Sequence, residues 1–379
     1  MFTPIPDLIN DGALSSNGRP GTKPPGAQVA PETFWRENAR QIRKGERKMA
    51  KTRLPGRAHM SLLAGACAMA AILSGCAASE SEAEICDRAC LIELGDSYVA
   101  ALAANDPSGL PLAEGVSFFE NLQPLQLGEG LWTDTSGEAT AFAVRVPDET
   151  RQTFGWLGMI ERQGEPALVA IRLKLEDGRI AEAEHLITTI RPENAERLMT
   201  PRPGLLSEVP EASRLPHDQL IAIGASYYDA LDDNDGSLTP FAPDCERHEN
   251  GMITAGSGPR VGPGPNDNTA PIARDCAGQL TSNVMAYIDT IDNRRVFAAD
   301  PVTGLVMGLS HFRHSMDFEP YEVTALDGST LNYGPDRFPF EKFDLPAAHI
   351  LKVGADGMVH EIEAMGFMTD YQSPTVTGG

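Results

Sequence analysis

The chain has 379 residues, a hydrophobic content of 41% and a formal net charge of −22. This length suits two domains of ordinary size, and the hydrophobic content is high enough for packed cores, which argues against a disordered protein. Residues 1–75 carry eleven Lys and Arg and five Asp and Glu, a net of +6, so the rest of the chain carries −28. Such an acidic surface repels nucleic acid, and we expect no nucleic-acid partner.

The first 75 residues are typical of a segment that precedes the folded protein. Residues 1–48 are rich in Pro, Gly, Asn and Arg and have no apolar periodicity, so we interpret them as a non-native or disordered extension. A basic stretch follows, and then the uncharged run Met60–Gly75, which has 16 residues. That run is shorter than the roughly 20 residues of a transmembrane helix. The pattern predicts a signal peptide over residues 49–75, with translation starting at Met49.

The end of this signal peptide is more specific than its body. Leu73-Ser74-Gly75-Cys76 resembles the lipobox of bacterial lipoproteins, whose cysteine is acylated and becomes the first residue of the mature protein. The resemblance implies a membrane anchor on Cys76, a tether over residues 76–84 and a location in the bacterial cell envelope. The residue after Cys76 is Ala77 and not Asp, which under the usual sorting rule for such lipoproteins favours the periplasmic face of the outer membrane. The alternative is a plain secretory signal with a chance cysteine.

Four cysteines remain after Cys76, namely Cys86, Cys90, Cys245 and Cys276. Export to an oxidising compartment favours disulfides. Cys245 and Cys276 bracket a Pro- and Gly-rich stretch, and we predict that they pair. Cys86 and Cys90 lie one helical turn apart, so their pairing requires a distorted first turn, and cross-pairing stays open. With no CxxC and no well-spaced His, we expect neither a metal nor another cofactor.

An internal repeat organises the mature chain. Leu91–Asn121 and Leu220–Asn250 align without a gap at an offset of 129 and are identical at 14 of 31 positions. Random composition gives about two identities. We therefore predict a duplication that produced two copies of one small fold.

Each copy is predicted to begin with a helix that ends at an Asn-Asp-x-Ser turn and is followed by strands. The helical positions share one apolar face: Leu91, Leu94, Tyr98 and Leu102 in the first copy, and Leu220, Ile223, Tyr227 and Leu231 in the second. The strands are predicted over 140–146, 153–161, 167–175 and 179–190, and over 295–299, 305–315, 348–353 and 358–367. Asp177-Gly178 and Asp356-Gly357 predict hairpins.

A helix followed by antiparallel strands predicts an α+β fold. The order and size of the elements resemble the nuclear-transport-factor-2-like superfamily, which includes SnoaL-like cyclases, scytalone dehydratase and ketosteroid isomerase. The resemblance implies two cone-shaped domains, over residues 85–200 and 217–373, with a linker over 201–216. In each, an N-terminal helix packs on a curved antiparallel sheet that surrounds a pocket.

The second copy is longer than the first by about 50 residues, most of which we place in a Gly-, Pro- and Asn-rich loop over residues 251–283. Long loops in compact domains are usually functional or mobile. We interpret this loop as a lid beside the pocket of the second copy. The alternative is a flexible surface insertion.

The candidate chemistry lies in the second copy. Alternation along the strand 305–315 places Met307, His311 and Arg313 on one face, which we take as the pocket face. His311 would then move a proton and Arg313 would hold an anion, with Glu249 or Tyr227 assisting. The other predicted substrate contacts are Arg247, His248 and His349. We expect the first copy to be a scaffold or a purely hydrophobic site.

The sequence leaves two functions open. One is a lipid-anchored protein whose second domain binds a small organic molecule and catalyses a cofactor-free elimination, isomerisation or hydration, as the resemblance implies. The other is a non-catalytic ligand-binding or assembly module with an envelope protein as partner. There is no GxSxG elbow, phosphate loop or HExxH motif, which leaves those hydrolase and nucleotide-binding classes unsupported.

Overall fold

The computed structural model describes residues 85–256, 275–338 and 340–376. The extension over residues 1–48, the signal peptide, Cys76 and the tether therefore lie outside the described residues, as does the middle of the predicted lid. Among the helices of the described residues, none combines the length and the apolar character that crossing a membrane requires.

The first repeat begins with one long helix and continues as a six-stranded sheet. Asp87 caps the helix by accepting a hydrogen bond from the backbone N–H of Cys90 at 2.9 Å, and Leu91, Tyr98 and Leu102 lie on its buried face. The helices are α1 (Arg88–Ala103) and α2 (Leu131–Asp134), with a 3₁₀ turn at Pro107–Gly109, and the strands are β1 (Leu112–Glu120), β2 (Gln123–Leu125), β3 (Ala143–Asp148), β4 (Thr153–Arg162), β5 (Glu165–Glu176) and β6 (Arg179–Thr189).

A connecting segment links the two repeats, and the second repeat then uses the same order of elements. The connecting segment contains α3 (Pro192–Ala195) and α4 (Pro203–Leu206), with 3₁₀ turns at Glu196–Leu198 and Glu211–Ser213. The second repeat contains α5 (His217–Asp232) and α6 (Cys276–Thr281), 3₁₀ turns at Gly236–Leu238 and Pro335–Arg337, and strands β7 (Phe241–Glu249), β8 (Met252–Ala255), β9 (Thr290–Asp300), β10 (Leu305–His314), β11 (Tyr321–Thr324), β12 (Thr330–Tyr333), β13 (Phe343–Val353), β14 (Val359–Gly366) and β15 (Thr369–Asp370).

The two large sheets have the same strand order. The first is β2-β1-β6-β5-β4-β3 and the second is β8-β7-β14-β13-β10-β9, with β15 added beside β13. In each sheet one pair is parallel, β1 with β6 and β7 with β14, and the other neighbours along this order are antiparallel. The prediction of a mixed α+β protein with two curved sheets is confirmed.

The duplicated sequence corresponds to duplicated local structure. Asn105 and Asn234 both adopt positive φ after the first helix of their repeat. Asp106 and Asp235 each accept a hydrogen bond at 2.9 Å from the backbone N–H of the serine two residues later. Short polar side chains at these positions close the turn because they can bond to a nearby backbone N–H and tolerate the left-handed conformation.

A second pair of repeated residues fastens the sheet. Asn121 exchanges two hydrogen bonds with the backbone of Ile187, and Asn250 does the same with Gly366. Each asparagine thus joins the end of the first strand of its sheet to the parallel neighbour. This backbone role accounts for its identity in both copies.

The extra length of the second repeat is divided between two places. One insertion lies between β8 and β9. This connection covers residues 256–289, whereas the corresponding connection of the first repeat covers only residues 126–142. The other lies between β10 and β13, where residues 315–342 replace the two-residue turn Gln163-Gly164 and form the small β11–β12 sheet. The sequence had placed most of this length in residues 251–283.

The sheets share one core, which lies between their outer faces, the faces directed away from α1 and α5. Buried side chains of both sheets form this core, among them Leu157 and Met159 from β4 and Met307 and Leu309 from β10. Gly155 packs so closely against Met307 that a side chain at position 155 would collide with the sulfur of Met307. The described residues accordingly form one compact unit.

Two reciprocal side-chain contacts mark a pseudo-two-fold relation between the repeats. Arg88 at the start of α1 contacts Asp300 at the end of β9, with 2.9 Å between Nη2 and Oδ2. His217 at the start of α5 contacts Asp148 at the end of β3, with 2.8 Å between Nε2 and Oδ2. Each repeat therefore offers the same two positions to the other, as the two subunits of a symmetric dimer do.

Both pairs of cysteines form disulfides. Cys245 is bonded to Cys276, as predicted, which ties α6 to β7. Cys86 is bonded to Cys90, so the alternative of cross-pairing is excluded. The Cys245–Cys276 disulfide joins the insertion that carries α6 to the sheet, whereas the Cys86–Cys90 disulfide constrains only the N-terminal end of α1.

Candidate functional site

The candidate site is the hollow of the second repeat, the space between α5 and the concave face of the second sheet. Strand β10 shows which side chains line it. Val306 lies against Gly224 of α5, and Gly308 lies against the hydroxyl of Tyr228. Residues 306, 308, 310, 312 and 314 therefore face the helix, and the residues between them lie on the opposite face of the sheet.

This orientation places three of the predicted site residues on the opposite face. Met307 belongs to the core shared with the first repeat. His311 Nε2 lies 3.0 Å from Ser373 Oγ, and Arg313 donates to the backbone oxygen of Ser373 at 2.8 Å and forms an ion pair with Asp344. We had taken this as the pocket face, but these residues hold the C-terminal segment against the outer face of the sheet.

His311 lies on the face opposite the hollow and is also shielded from solvent. It is 1% exposed, and burial together with the charge of Arg313 lowers the pKa of His311. Its second nitrogen, Nδ1, has no hydrogen-bond partner within the described part of the chain. His311 is therefore a neutral, enclosed side chain at a packing interface.

His248 also lies outside the hollow. Its Nε2 is 2.7 Å from Glu246 Oε1, on the outer face where the connecting segment crosses the sheet. Arg202 of that segment donates to the backbone oxygen of Ile362 at 2.8 Å and lies 3.3 Å from Glu363. Burial and the charge of Arg202 lower the pKa of His248. This cluster joins the connecting segment to the second repeat.

Four of the predicted residues do meet in the hollow: Tyr227, Arg247, Glu249 and His349. Tyr227 comes from the buried face of α5. Arg247 and Glu249 are two residues apart on β7, and alternation puts both on the concave face. The Nε of Arg247 donates to the Tyr227 hydroxyl at 2.9 Å, and its Nη1 lies 2.7 Å from Glu249 Oε2.

The Arg247 guanidinium is a mostly enclosed, compensated charge, with 14% of its side chain exposed. Burial by itself lowers the pKa of Arg247, but Tyr227 and Glu249 more than reverse this and keep that pKa above its ordinary value. A third partner is Thr254 of β8, whose Oγ1 accepts from Nη1 at 2.7 Å. A cation in such surroundings needs an anion beside it, because an isolated buried charge is costly. In this hollow, Glu249 is that anion.

His349 of β13 completes the polar part of the hollow. Its ring contacts those of Tyr227 and Tyr228, with centroid distances of 5.3 and 5.5 Å, and the hydroxyl of Tyr228 lies 3.3 Å from Nδ1. Burial and the charge of Arg247 hold the pKa of His349 well below its ordinary value. His349 is therefore neutral at pH 7, which is the state that a general base requires.

A small cavity adjoins two of these groups, Tyr227 and Arg247. Its volume is about 10 Å³, and its lining includes Tyr227, Phe241, Arg247 and Ile362 from the helix and the sheet. The other side consists of Cys276, Gln279, Leu280 and Met285, which we call the roof. The roof belongs to the insertion between β8 and β9. A cavity of this size holds about one water molecule.

The hollow of the first repeat is closed by different side chains. Phe118 stands where the second repeat has Arg247, and its ring lies 4.8 Å from that of His185. Trp132 of α2 packs edge-on against Tyr98 at 5.2 Å. The Tyr98 hydroxyl lies 2.9 Å from His185 Nε2, and His185 Nδ1 lies 3.7 Å from Glu120 Oε2.

This polar chain in the first repeat was not predicted, because we expected a scaffold or a purely hydrophobic site. His185 is fully buried. The signal was present in β6, where His185 alternates with Ala183 and Ile187, two residues of the buried core. A histidine on an otherwise apolar strand face, opposite a tyrosine on the buried face of a helix, could have been proposed as a pair.

One protein family matches the second repeat. Residues 213–366 match the family described as Domain of unknown function (DUF8021). The match covers most of the second repeat and none of the first. No curated protein sequence matches the chain.

Solved structures similar to this chain include three that cover about two fifths of it. A candidate polyketide cyclase from Silicibacter sp. TM1040 is 15% identical, with a TM-score of 0.25 and coverage of 41% of this chain and 92% of its own. SalBIII, an epoxide hydrolase/cyclase-like enzyme with a role in pyran ring formation in the polyether salinomycin, is 16% identical, with a TM-score of 0.24 and coverage of 40% and 94%. An NTF2-like protein from Burkholderia thailandensis is 18% identical, with a TM-score of 0.21 and coverage of 40% and 92%.

At such TM-scores the description of the fold rests on the molecule itself. Its two curved sheets of equal strand order agree with the architecture that the nuclear-transport-factor-2-like resemblance implies.

Proposed function

We propose that the second repeat is a ligand-binding module that takes a small organic molecule into its hollow and anchors it at Arg247. The observation that carries this proposal is the mostly enclosed Arg247 guanidinium, which lines a cavity between α5 and the sheet. The first repeat has Phe118 at the same position and packs it against His185. A buried cation on a concave face costs stability without improving packing, which favours a role in recognition.

Binding requires the roof to move, because the present cavity has room for about one water molecule. The roof is fixed by the Cys245–Cys276 disulfide and by hydrogen bonds to neighbouring segments, among them that of the Gly236 N–H to the side chain of Thr281 at 3.1 Å and that of the Thr324 N–H to the backbone oxygen of Ser282 at 2.9 Å. Gln279 donates to the backbone oxygen of Thr254 at 3.0 Å, and the backbone N–H of Met285 donates to the side chain of Asn234 at 3.1 Å. The disulfide would keep one end of the roof in place while Leu280 and Met285 withdraw.

A second candidate is acid–base catalysis in the same hollow, with His349 as the base instead of His311. The neutral state of His349, its contact with Tyr227 and its nearness to the charge of Arg247 support this candidate. A proton removed from a bound carbonyl compound would pass to His349, and Arg247 would stabilise the resulting oxyanion. Elimination, isomerisation and hydration all use such a step.

Binding is tested by thermal shift on the mature chain with a library of small organic molecules. We expect some compounds to raise the melting temperature of the wild type and to lose this effect in Arg247→Met. Arg313→Met is the matched control, since it removes an ion-paired arginine from the opposite face of the same sheet and should keep the effect. If no compound raises the melting temperature, or if Arg247→Met responds like the wild type, the proposal fails.

Catalysis is tested on compounds that pass the binding test. We expect His349→Gln to bind them and to lose turnover, which would be followed by NMR of the substrate protons. If the wild type binds such compounds and leaves them unchanged, with no exchange of their acidic protons in D₂O, the module is non-catalytic.

We also propose that the mature protein is anchored in the cell envelope through a lipid on Cys76. The two disulfides support export, because such bonds persist in oxidising compartments. The experiment compares the wild type with Cys76→Ser in a bacterial host, by detergent phase partition and by mass spectrometry of the N-terminal peptide. We expect a triacylated Cys76 and loss of membrane partition in the variant. An unmodified N-terminal peptide in the wild type would contradict the anchor.

A further inference from the structure

We propose that the ligand of the second-repeat hollow is an organic monocarboxylate with an apolar body, and that its carboxylate replaces that of Glu249 on Arg247. This inference rests on the proposed function, which it deepens by naming the class of ligand. Four features of the hollow support it: the single cation, the state of Glu249, the hydroxyl proton of Tyr227 and the apolar lining.

The cation of the hollow already binds a carboxylate. Arg247 Nη1 lies 2.7 Å from Glu249 Oε2, and arginine is suited to carboxylates because its donors match their geometry. Arg247 is the charged residue in the lining of the cavity. One cation accommodates one negative charge, so a second carboxylate on the ligand would be buried without a partner.

Glu249 is less constrained than its counterpart in the first repeat. Glu120 accepts a hydrogen bond at 2.8 Å from the backbone N–H of Leu131 and approaches His185, so it is fixed in its core. Among the described residues, the hydrogen-bonding partner of the Glu249 carboxylate is Arg247. Its side chain is 24% exposed, against 9% for Glu120. Glu249 can therefore turn into solvent when another carboxylate takes its place.

Tyr227 supplies the second donor for the incoming carboxylate. Its oxygen accepts from Arg247 Nε, and burial raises the pKa of Tyr227, so the phenol keeps its proton at pH 7. That proton has no acceptor among the described residues, so it can be donated to a ligand oxygen. Arg247 and Tyr227 together offer a charged donor and a neutral donor at one end of the cavity.

Apart from Gln279, the rest of the cavity lining is apolar. Leu231, Phe241, Leu280, Met285 and Ile362 surround the space beyond the arginine. Such walls favour a hydrocarbon or aromatic body and disfavour a sugar or a polyol, whose hydroxyl groups would lose water without finding partners. The ligand is thus charged at one end and apolar at the other.

The experiment measures binding of phenylacetate and hexanoate, and of their neutral amides, to the mature chain by ligand-observed NMR and calorimetry. We expect the carboxylates to bind at least tenfold more tightly than the amides, because they alone form the charged pair with Arg247. Glu249→Gln should tighten carboxylate binding about tenfold by removing the internal competitor. The matched control is Glu120→Gln, the equivalent change in the first repeat, which should leave binding unaltered.

The outcomes distinguish failure of the carboxylate class from failure of the proposed binding function. Amides that bind as tightly as the acids, or a Glu249→Gln variant that binds acids no better than the wild type, would overturn the carboxylate class while the hollow remains a binding site. If neither acids nor amides bind, and the wider library of neutral compounds gives no shift either, the proposed function itself fails.

Discussion

The hollows of the two repeats occupy equivalent places in equivalent folds and have been filled in different ways. In the first, Tyr98, Phe118, Trp132 and His185 contact one another. In the second, Arg247 replaces Phe118, and an inserted roof covers a residual cavity. The first hollow gains packing from its aromatic rings. The second gives up packing to hold a buried charge, which is the behaviour expected of a site under selection for binding.

The outer faces of the two sheets are alike where the hollows differ, because both repeats contribute to the one core that lies between these faces. If the shared core is needed by both, separating the halves should have the largest effect of all. We expect residues 85–200 and 201–376, expressed as separate chains, to give no folded monomer, and to form a folded 1:1 complex when refolded together. Light scattering and circular dichroism measure this. A stable folded monomer of either half would show that the shared core is dispensable.

Two equivalent glutamates on the outer faces should respond in opposite directions to the same substitution. Glu184 is paired at 2.7 Å through both oxygens with Arg295 of the other repeat. Glu184→Gln should lower the free energy of unfolding by about 3 kcal/mol, because a buried arginine loses its charged partner. Chemical denaturation at pH 8 measures the loss. A change below about 1 kcal/mol would mean that Arg295 finds another partner.

Glu363 is the equivalent residue in the second repeat, and its pairing with Arg202 is looser, at 3.3 Å. Burial raises the pKa of Glu363 from 4.5 to about 7. The folded protein therefore retains a proton that the unfolded chain releases, so the stabilising contribution is complete below pH 4.5 and is lost as the pH rises through about 7.

We consequently expect Glu363→Gln to be more stable than the wild type at pH 8, by about 1–3 kcal/mol, and to show no advantage at pH 4. Denaturation curves of both proteins across this pH range provide the measurement. An advantage that is independent of pH, or a loss of stability at pH 8, would show that Glu363 is ionised in the folded protein and well paired.

The smallest expected difference concerns two equivalent leucines on the buried faces of α1 and α5. Leu102 is fully buried in the packed first hollow, whereas Leu231 is 5% exposed and lines the cavity of the second. Leu102→Ala should cost about 4 kcal/mol and Leu231→Ala about 2 kcal/mol, because Leu231 already lacks neighbours on one side. Equal losses in thermal or chemical unfolding would mean that the second hollow is packed as well as the first.

Much of the local structure followed from the sequence. The helix faces at Tyr98 and Tyr227, the turns at Asp106 and Asp235 and the Cys245–Cys276 disulfide all depend on nearby residues or on the repeat itself. Tyr227, Arg247, Glu249 and His349 were named as candidates and meet in the hollow. Their mutual contacts could not be read from the sequence, since they join one helix to strands that are distant along the chain.

The assignment of His311 and Arg313 to the pocket was an inference about the direction of a strand face. Alternation correctly grouped them with Met307 and Leu309, but it gave no sign of which face turns toward the helix. In most half-buried strands the apolar face identifies the core. Strand β10 is buried almost throughout, because α5 covers one face and the first repeat covers the other.

The sequence by itself determined that one unit was duplicated, where its helices and turns lie and which cysteines in the second copy pair. These features depend on short-range periodicity, on turn chemistry and on identity between the copies. Only the tertiary structure decided which face of each sheet is concave and that the outer faces share a core. It also decided that Arg247 rather than Arg313 lies in the hollow. The reason is physical: a strand buried on both faces has no polar side to reveal its orientation, so its partners in space fix what its sequence leaves open.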